Sequence, residues 1–337
     1  VLVSTTDFMH APITLAAMDL GKHVYCQKPL SQNLVELRAM QEMAARKGVV
    51  TQMGTQIHGH EAYRTAVAMV HEGAIGLVRE AHLWVSKSWA GLPEGIPDRS
   101  DPVPEHLDWD LWLGVSPERP YVEGYFHPKQ WRRWRNYGTG TLGDMGCHLF
   151  DPVFGALELE RIRSVVSNGP QHTDVGYGTD GDFTYVFEGT ERTDGDLVFR
   201  WTDGSGPSRP DASRAQLPEG VELPGAGSFL VGEKGVMVLP HWDLPRFYSD
   251  GEPMEIAVES RGSVSHYHEF LDAVRGEGTT GTPFSFAGPV TECVLVGVIA
   301  GAFRGEALTW DSRGLRFEDP RADALVRKTY REGRSPI

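Results

Sequence analysis

Residues 1–54 alternate short apolar runs with helical segments, and this alternation restricts the fold more than any other feature of the chain. The predicted elements are strands at 1–3, 23–26 and 49–54 and helices at 11–20 and 31–46. Asp7 and Ser31 are the residues expected to cap the two helices. A β-α-β-α-β order of this kind predicts a parallel sheet with helices on its faces.

Polar residues follow each of the three predicted strands. The segments are STTD at 4–7, QKP at 27–29 and GTQ at 54–56. Because ligands of parallel sheets bind at the carboxyl ends of the strands, we expect these segments to face a cofactor or a substrate. Proline after Lys28 favours extended backbone and would hold the lysine in place. The alternative is that Lys28 is an ordinary solvated surface charge.

From about residue 58 the sequence pattern changes. The predicted elements are strands at 77–86, 184–187, 197–201 and 236–239 and helices at 266–275 and 291–303. Turns rich in Gly and Asp join the strands, which favours an antiparallel sheet. We therefore predict an α/β domain at 1–57, followed by an α+β domain at 58–337. The second domain would have a large, mostly antiparallel open sheet flanked by helices, with C-terminal segments able to pack back on the first.

The composition excludes some classes of partner. A net charge of −14 disfavours nucleic acid and anionic membrane surfaces. No apolar run approaches the roughly 20 residues of a membrane span. Cys26, Cys147 and Cys293 are far apart and lack CxxC spacing, so we predict buried thiols and no metal site.

The first residue, Val1, lies within an apolar run, and no targeting segment is visible. This start suggests that an upstream segment is missing. The compartment stays open: the cytoplasm by default, or export if a signal lies upstream.

The segment YGTGTLGDMGCHLFDPVFGALEL at 137–159 carries the densest set of candidate catalytic groups. If 143–157 is helical, Asp144, His148 and Asp151 share one face at positions i, i+4 and i+7. Apolar residues cover most of the remaining circumference, so this polar face should open onto a cavity. The alternative is a structural histidine hydrogen-bonded to Asp144, with Asp151 capping or kinking the helix. A metal site is disfavoured because no third or fourth ligand has suitable spacing.

Four segments together resemble the Gfo/Idh/MocA family, named after glucose-fructose oxidoreductase, inositol dehydrogenase and rhizopine catabolism proteins. VSTTDFMHAPITLAAMDLGKHVYCQKPLS at 3–31 is similar to the family's strand-turn-helix followed by its Glu-Lys-Pro element. GTGTLGDMGCHLFD at 138–151 is similar to its Gly-rich turn, its Asp, and its His four residues on. SHYHEFLDAVRGE at 265–277 and TECVLVGVIAGAFRGEALTWD at 291–311 are similar to its closing helices and final strand.

The resemblance implies that 1–57 is the C-terminal part of a Rossmann-type nucleotide-binding sheet. It also implies that NAD or NADP binds there, and that a sugar or polyol lies against the second-domain sheet. Members commonly associate through the exposed face of that sheet, so a homo-oligomer is expected.

The same resemblance implies roles for individual residues. The catalytic residues would be Lys28, Asp144 and His148. The cofactor-binding residues would be Ser4, Thr5, Asp7, His10, Gln27, Lys28, Pro29, Gln56, Trp131 and Arg132. The substrate-binding residues would be Lys28, Asp144, His148 and Asp151.

Two features depart from the family's pattern. The G-x-G-x-x-G loop that follows the family's first strand is absent, as is the acidic residue that selects NAD over NADP. We therefore expect the chain to begin at a later strand of that domain and to bind the cofactor poorly. Gln27 stands where many members have Glu, so a role that needs the carboxylate charge is in doubt, although the amide can still hydrogen-bond.

Oxidation of a secondary alcohol requires an acceptor for the hydroxyl proton as hydride leaves. An imidazole, with an ordinary pKa of about 6.5, suits this role near neutrality. A lysine side chain, with an ordinary pKa of about 10.4, acts more readily as a charged donor. We therefore expect His148 to be the base, oriented by Asp144, and Lys28 to bind the reacting oxygen; the reverse assignment stays open. The alternative functions are an NAD-dependent glycoside hydrolase, working by transient oxidation and elimination, and a truncated, non-catalytic member.

Overall fold

Two sheets and the helices packed on them make up the computed structural model, which describes residues 1–206, 210, 213, 215 and 217–336. The strands are β1 Leu2–Val3, β2 Val24–Cys26, β3 Thr51–Met53, β4 Val78–Val85, β5 Ile162–Ser167, β6 Asp182–Phe187, β7 Thr193–Asp203, β8 Ala226–Gly232, β9 Val236–Pro240, β10 Arg246–Ser249, β11 Glu252–Pro253, β12 Ala307–Asp311 and β13 Arg316–Phe317. The helices are α1 Asp7–Asp19, α2 Leu34–Lys47, α3 Glu61–His71, α4 Trp109–Leu113, α5 Cys147–Leu157, α6 His266–Arg275, α7 Phe284–Ala300 and α8 Pro320–Asp323. Two 3₁₀ turns, Gln56–Gly59 and Gln130–Arg133, and a π turn, Leu142–Gly146, complete the elements.

The first sheet has three parallel strands in the order β1-β2-β3, with α1 and α2 as the connections between them. All three residues of β2 are buried, as expected of a parallel strand covered on both faces. α7 packs against α2 and β3, and the backbone N–H of Phe284 donates to Thr51 Oγ1 at 3.1 Å. A C-terminal segment therefore returns to the first sheet.

Both predicted helix caps are wrong. α1 begins at Asp7 itself, whose carboxylate accepts a hydrogen bond from Thr139 Oγ1 at 2.6 Å. α2 begins after Asn33, whose side chain accepts from the backbone N–H of Glu36 at 2.9 Å. Ser31 Oγ instead donates to the carbonyl of Asn33. Asn is as good a cap as Ser, and the acid three residues later belongs to the capping-box pattern, so the later start is the more stable one.

The second sheet has ten strands in the order β11-β10-β9-β8-β4-β7-β6-β5-β12-β13. β4 and β7 pair in parallel, and the other pairings among the described strands are antiparallel. α5 lies on this sheet: the Phe150 ring packs edge-on to Phe199 and Trp201, with centroids 4.9 and 5.4 Å apart. The predicted fold class, a parallel α/β sheet followed by a large, mostly antiparallel sheet with helices, is confirmed.

The predicted helix at 143–157 is divided into two parts. The π turn Leu142–Gly146 carries Asp144, and α5 begins at Cys147 and carries His148. π turns inside helices occur frequently at functional sites. The predicted helix at 291–303 begins earlier, at Phe284, and ends at Ala300.

We propose a domain boundary between residues 57 and 58, after the last strand of the parallel sheet. The proposed second domain includes residues 207–209, 211, 212, 214, 216 and 337, which lie outside the described residues. Cys26, Cys147 and Cys293 are buried free thiols. Within the described ranges, every helix is too short or too polar to cross a membrane.

Candidate functional site

Lys28 and Asp144 meet between the parallel sheet and the π turn. The Lys28 ammonium donates to the Asp144 backbone carbonyl at 2.5 Å and lies 3.1 Å from the carboxylate Oδ1. The two side chains are 15% and 9% exposed. Lys28 follows β2 by two residues, and the peptide bond between Lys28 and Pro29 is cis. Residues 116 positions apart in the chain thus form one buried ion pair.

Three further donors converge on the same carboxylate. Trp89 Nε1 donates to Asp144 Oδ2 at 2.7 Å, Arg132 Nε donates to Oδ1 at 3.2 Å, and the Lys87 ammonium pairs with Oδ2. Burial disfavours the charged carboxylate, but Lys28, Lys87 and Trp89 outweigh burial and hold the pKa of Asp144 well below its ordinary value. Asp144 is therefore anionic at neutral pH, and three cations share its single charge.

A cavity of about 170 Å³ opens beside this cluster, at the carboxyl ends of β1 and β2. Its lining contains eight of the ten residues expected to bind a cofactor, together with Asp144. The lining residues are Ser4, Thr5, Asp7, His10, Gln27, Lys28, Trp131, Arg132 and Asp144. Strand-end geometry therefore brings segments from residues 4–10, 27–28 and 131–144 to one polar hollow.

His10 ties two of these segments together. Its Nδ1 lies 2.7 Å from the carbonyl of Pro29, and its Nε2 lies 3.2 Å from the carbonyl of Thr5. Burial lowers the pKa of His10 and raises the pKa of Asp7, although each group partly offsets the shift of the other. Pro29 contributes a carbonyl to this network rather than to the cavity lining.

His148 has a different environment from the one expected. Its Nδ1 is buried and has no hydrogen-bond partner among the described residues. Both Asp144 oxygens accept from other residues, so the prediction that Asp144 orients the His148 ring is wrong. Burial and the nearby charge of Lys28 lower the pKa of His148 to about 3, so the imidazole is neutral at pH 7. Its ring lies 6.4 Å from that of His241.

Asp151 and Gln56 lie outside the cavity. Asp151 is buried, and both of its oxygens contact His58 Nδ1, at 2.9 and 3.0 Å. Burial disfavours the imidazolium, but the Asp151 carboxylate outweighs it and raises the pKa of His58. Gln56 is exposed on the first 3₁₀ turn. The substrate contact of Asp151 stays a prediction; in the structure its carboxylate pairs with His58 outside the cavity lining.

The sequence reasoning missed Lys87, His58 and His241. Lys87 follows β4 by two residues, so the strand-end argument applied to the first sheet could have found it. His58 follows β3 closely, and His241 follows β9 directly, so the same argument could have suggested both. No local pattern indicates which distant group each would meet.

Two family models match the chain. Residues 1–55 match the model described as an oxidoreductase family with an NAD-binding Rossmann fold, and residues 80–190 match the C-terminal alpha/beta domain of the same Gfo/Idh/MocA family.

Two of the sequence relatives are named as oxidoreductases of sugar derivatives. Levoglucosan dehydrogenase of Pseudarthrobacter phenanthrenivorans is 25% identical over 166 residues, which is 49% of this chain and 35% of the relative. The 1,5-anhydro-D-fructose reductase of Ensifer adhaerens is 46% identical over 81 residues, 23% of each chain. The chain thus aligns with about a third or less of the length of these curated relatives.

Solved structures share the fold. An inositol dehydrogenase homologue of Azotobacter vinelandii, complexed with NAD⁺, superposes with a TM-score of 0.64 at 18% identity, over 92% of this chain and 77% of that chain. A putative oxidoreductase of Thermotoga maritima gives a TM-score of 0.62 at 16% identity, over 92% of this chain and 79% of that chain. With the two matched segments in order and this common architecture, the chain belongs to the Gfo/Idh/MocA oxidoreductase family.

Proposed function

We propose that this chain transfers hydride between NAD or NADP and a secondary hydroxyl of a sugar, a polyol or a derivative of one. The observation that carries the proposal is the buried Lys28–Asp144 pair beside a polar cavity at the carboxyl ends of parallel strands. The family membership and the names of the sequence relatives support the reaction class and the kind of substrate.

The residues around the cavity suit the nicotinamide end of such a cofactor. Ser4, Thr5 and Gln27 offer hydroxyl and amide groups at the strand ends. The volume of about 170 Å³ is below the roughly 300–1,000 Å³ of pockets that enclose drug-sized ligands, so the cavity would hold one end of a dinucleotide. When bound, the nicotinamide ring supplies the hydride acceptor or donor.

Lys28 is placed to bind the reacting oxygen. A lysine ammonium has three N–H donors, and two of them serve the carbonyl and the carboxylate of Asp144. The third is available for a substrate hydroxyl. As hydride leaves the carbon, negative charge develops on that oxygen, and a positioned ammonium stabilises it more strongly in the transition state than in the ground state.

We propose that His148 accepts the hydroxyl proton. Its ring is neutral at pH 7 and lies at the start of α5, four residues after Asp144. A pKa of about 3 makes the free imidazole a weak base, so the proposal requires that the negative charge developing on the substrate oxygen raise the pKa of His148 during the reaction.

A substrate panel tests the proposed function. The purified protein is incubated with cyclic and open-chain sugars and polyols and with NAD⁺ or NADP⁺, at cofactor concentrations high enough to offset the weak binding expected from the sequence. The reduced cofactor is followed by its absorbance. We expect turnover with at least one of these compounds and its loss in Lys28→Met, with circular dichroism showing that the variant is folded. Cleavage of a glycoside without net cofactor reduction, or turnover unaffected by Lys28→Met, would contradict the proposal.

We also propose a homo-oligomer formed through the exposed face of the ten-stranded sheet. Light scattering coupled to gel filtration would give a mass above 37.3 kDa, the mass of one chain. A monomer at all concentrations would refute this part of the proposal.

A further inference from the structure

Trp242 is exposed in a way that a purely structural role does not explain. Its side chain is 61% exposed and is the largest apolar side chain on the surface of the described residues. It lies in the turn between β9 and β10, with φ at +90°, a region that bulky residues seldom adopt. Strained backbone of this kind persists where surrounding structure holds it, and it clusters at ligand sites.

Two histidine rings hold the indole in place. His60 lies with its ring centroid 6.1 Å from that of Trp242, and His241 lies 5.5 Å away at a near-perpendicular angle of 81°. His241 is itself fixed, since its Nδ1 lies 2.7 Å from the hydroxyl of Tyr63. The indole therefore contacts the two histidine rings, and most of its remaining surface is exposed to solvent.

The same histidine connects Trp242 to the candidate catalytic group. The His241 ring is near both Trp242 and His148, with ring centroids 5.5 and 6.4 Å away. Burial lowers the pKa of His241 to about 4 and that of His148 to about 3, so both rings are neutral polar groups at pH 7. Trp242 is thus linked to His148 through one shared neighbour, the His241 ring.

We propose that Trp242 is a stacking platform for a ring-shaped substrate, a pyranose or a cyclitol, whose apolar C–H face packs on the indole while a ring hydroxyl faces His148. Neutral imidazoles and an aromatic face suit a neutral carbohydrate better than an ion, because each offers hydrogen bonds or apolar contact without fixed charge. An open-chain polyol lacks a flat face and would lose this contact. The inference rests on the proposed function for the role of His148, but the binding it predicts does not require turnover.

A binding measurement tests the platform without hydride transfer. The protein is labelled with 5-fluorotryptophan, and the ¹⁹F resonance of Trp242 is assigned by its absence in Trp242→Phe. The cyclic probes are 1,5-anhydro-D-glucitol, myo-inositol and D-glucose, and D-glucitol is the matched open-chain control. We expect at least one cyclic probe to shift the Trp242 resonance saturably, with binding about tenfold or more tighter than that of D-glucitol. No shift with any cyclic probe, or equal binding of D-glucitol, would overturn the proposal.

Kinetics on a cyclic substrate provide the second readout. Trp242→Ala should raise KM about tenfold or more and leave kcat within about threefold, while Trp242→Phe should recover most of the affinity. Tyr267→Ala removes another exposed aromatic side chain, on α6, and should change neither constant. A fall in kcat alone, or an unchanged KM in Trp242→Ala, would overturn the proposal. A protein without turnover whose Trp242 resonance still responds to a cyclic probe would refute the proposed function and retain the platform.

Discussion

Replacing Asp144 by Asn should destabilise the protein strongly, because one carboxylate holds three cationic side chains. Lys28, Lys87, Arg132 and the Trp89 indole all donate to it. An amide has one oxygen that can accept, and its NH₂ group would face cationic donors. Removing one member of a buried ion pair costs about 3–5 kcal/mol. Since Lys87 is 43% exposed and water screens part of its charge, we expect about 3 kcal/mol, the lower end of that range.

Urea unfolding at pH 7 measures this loss, with Asp19→Asn as the matched control. Asp19 forms an ion pair with Lys47 on the surface, at 3.0 Å, and its replacement should cost less than about 1 kcal/mol. The folded-state pKa of Asp144 is depressed, so its contribution is complete above its unfolded-state pKa of about 3.9 and is lost as pH falls through the folded-state value. The free energy of unfolding should therefore differ most between wild type and Asp144→Asn at pH 7, and the difference should become smaller below about pH 4.

A loss below about 1 kcal/mol in Asp144→Asn, equal to that in Asp19→Asn, would refute the reasoning. It would show that water already screens the cluster and that the carboxylate does not organise Lys28. A pH-independent difference between wild type and the variant would show that the stabilisation does not come from the ionised form of Asp144.

Two further changes test other contacts of the site region. His58→Gln should lower the free energy of unfolding by about 2 kcal/mol near pH 6, because the pairing with Asp151 stabilises the fold while the imidazole is protonated. The loss should shrink as pH rises through the raised pKa of His58. Denaturation at several pH values measures the loss, and a loss that grows with pH would contradict the prediction. Gly143→Ala should lower the free energy of unfolding by about 1–3 kcal/mol, since the added methyl would overlap Thr139 Oγ1. Gly155→Ala should leave α5 unchanged or stabilise it, because its methyl would meet Val67 at 3.5 Å. Equal melting temperatures for the two variants would refute this prediction.

The parallel sheet could be anticipated because it depends on local patterns: short apolar strands between helices determine that strand ends share one edge. The meeting of Lys28 with Asp144, 116 residues apart, was expected from the family resemblance instead. The start of α2 was misplaced because Ser31 and Asn33 are both good caps, and only Glu36, three residues after Asn33, distinguishes them.

Contacts between distant segments were not predictable in the same way. Lys87 and Trp89 reach Asp144 from 57 and 55 residues away, and no periodicity relates those positions. The π turn moves Asp144 out of the regular α-helix that carries His148, and the helical spacing gave no sign of it. Asp144 does not orient the His148 ring as expected, for this reason and because stronger donors bind the carboxylate.

Above all, we propose that the Lys28 ammonium acts on the substrate oxygen. Asp144 keeps Lys87, Trp89 and Arg132 in Lys28→Met, so the variant should fold and bind the substrate. The direct measurement is kcat/KM of Lys28→Met against wild type on a substrate from the panel, with the unfolding midpoint of each protein. We predict a fall of about 100-fold or more in kcat/KM in a variant that stays folded, because its free energy of unfolding should fall by less than that of Asp144→Asn. A variant that folds normally and keeps kcat/KM within about fivefold of wild type would contradict the claim.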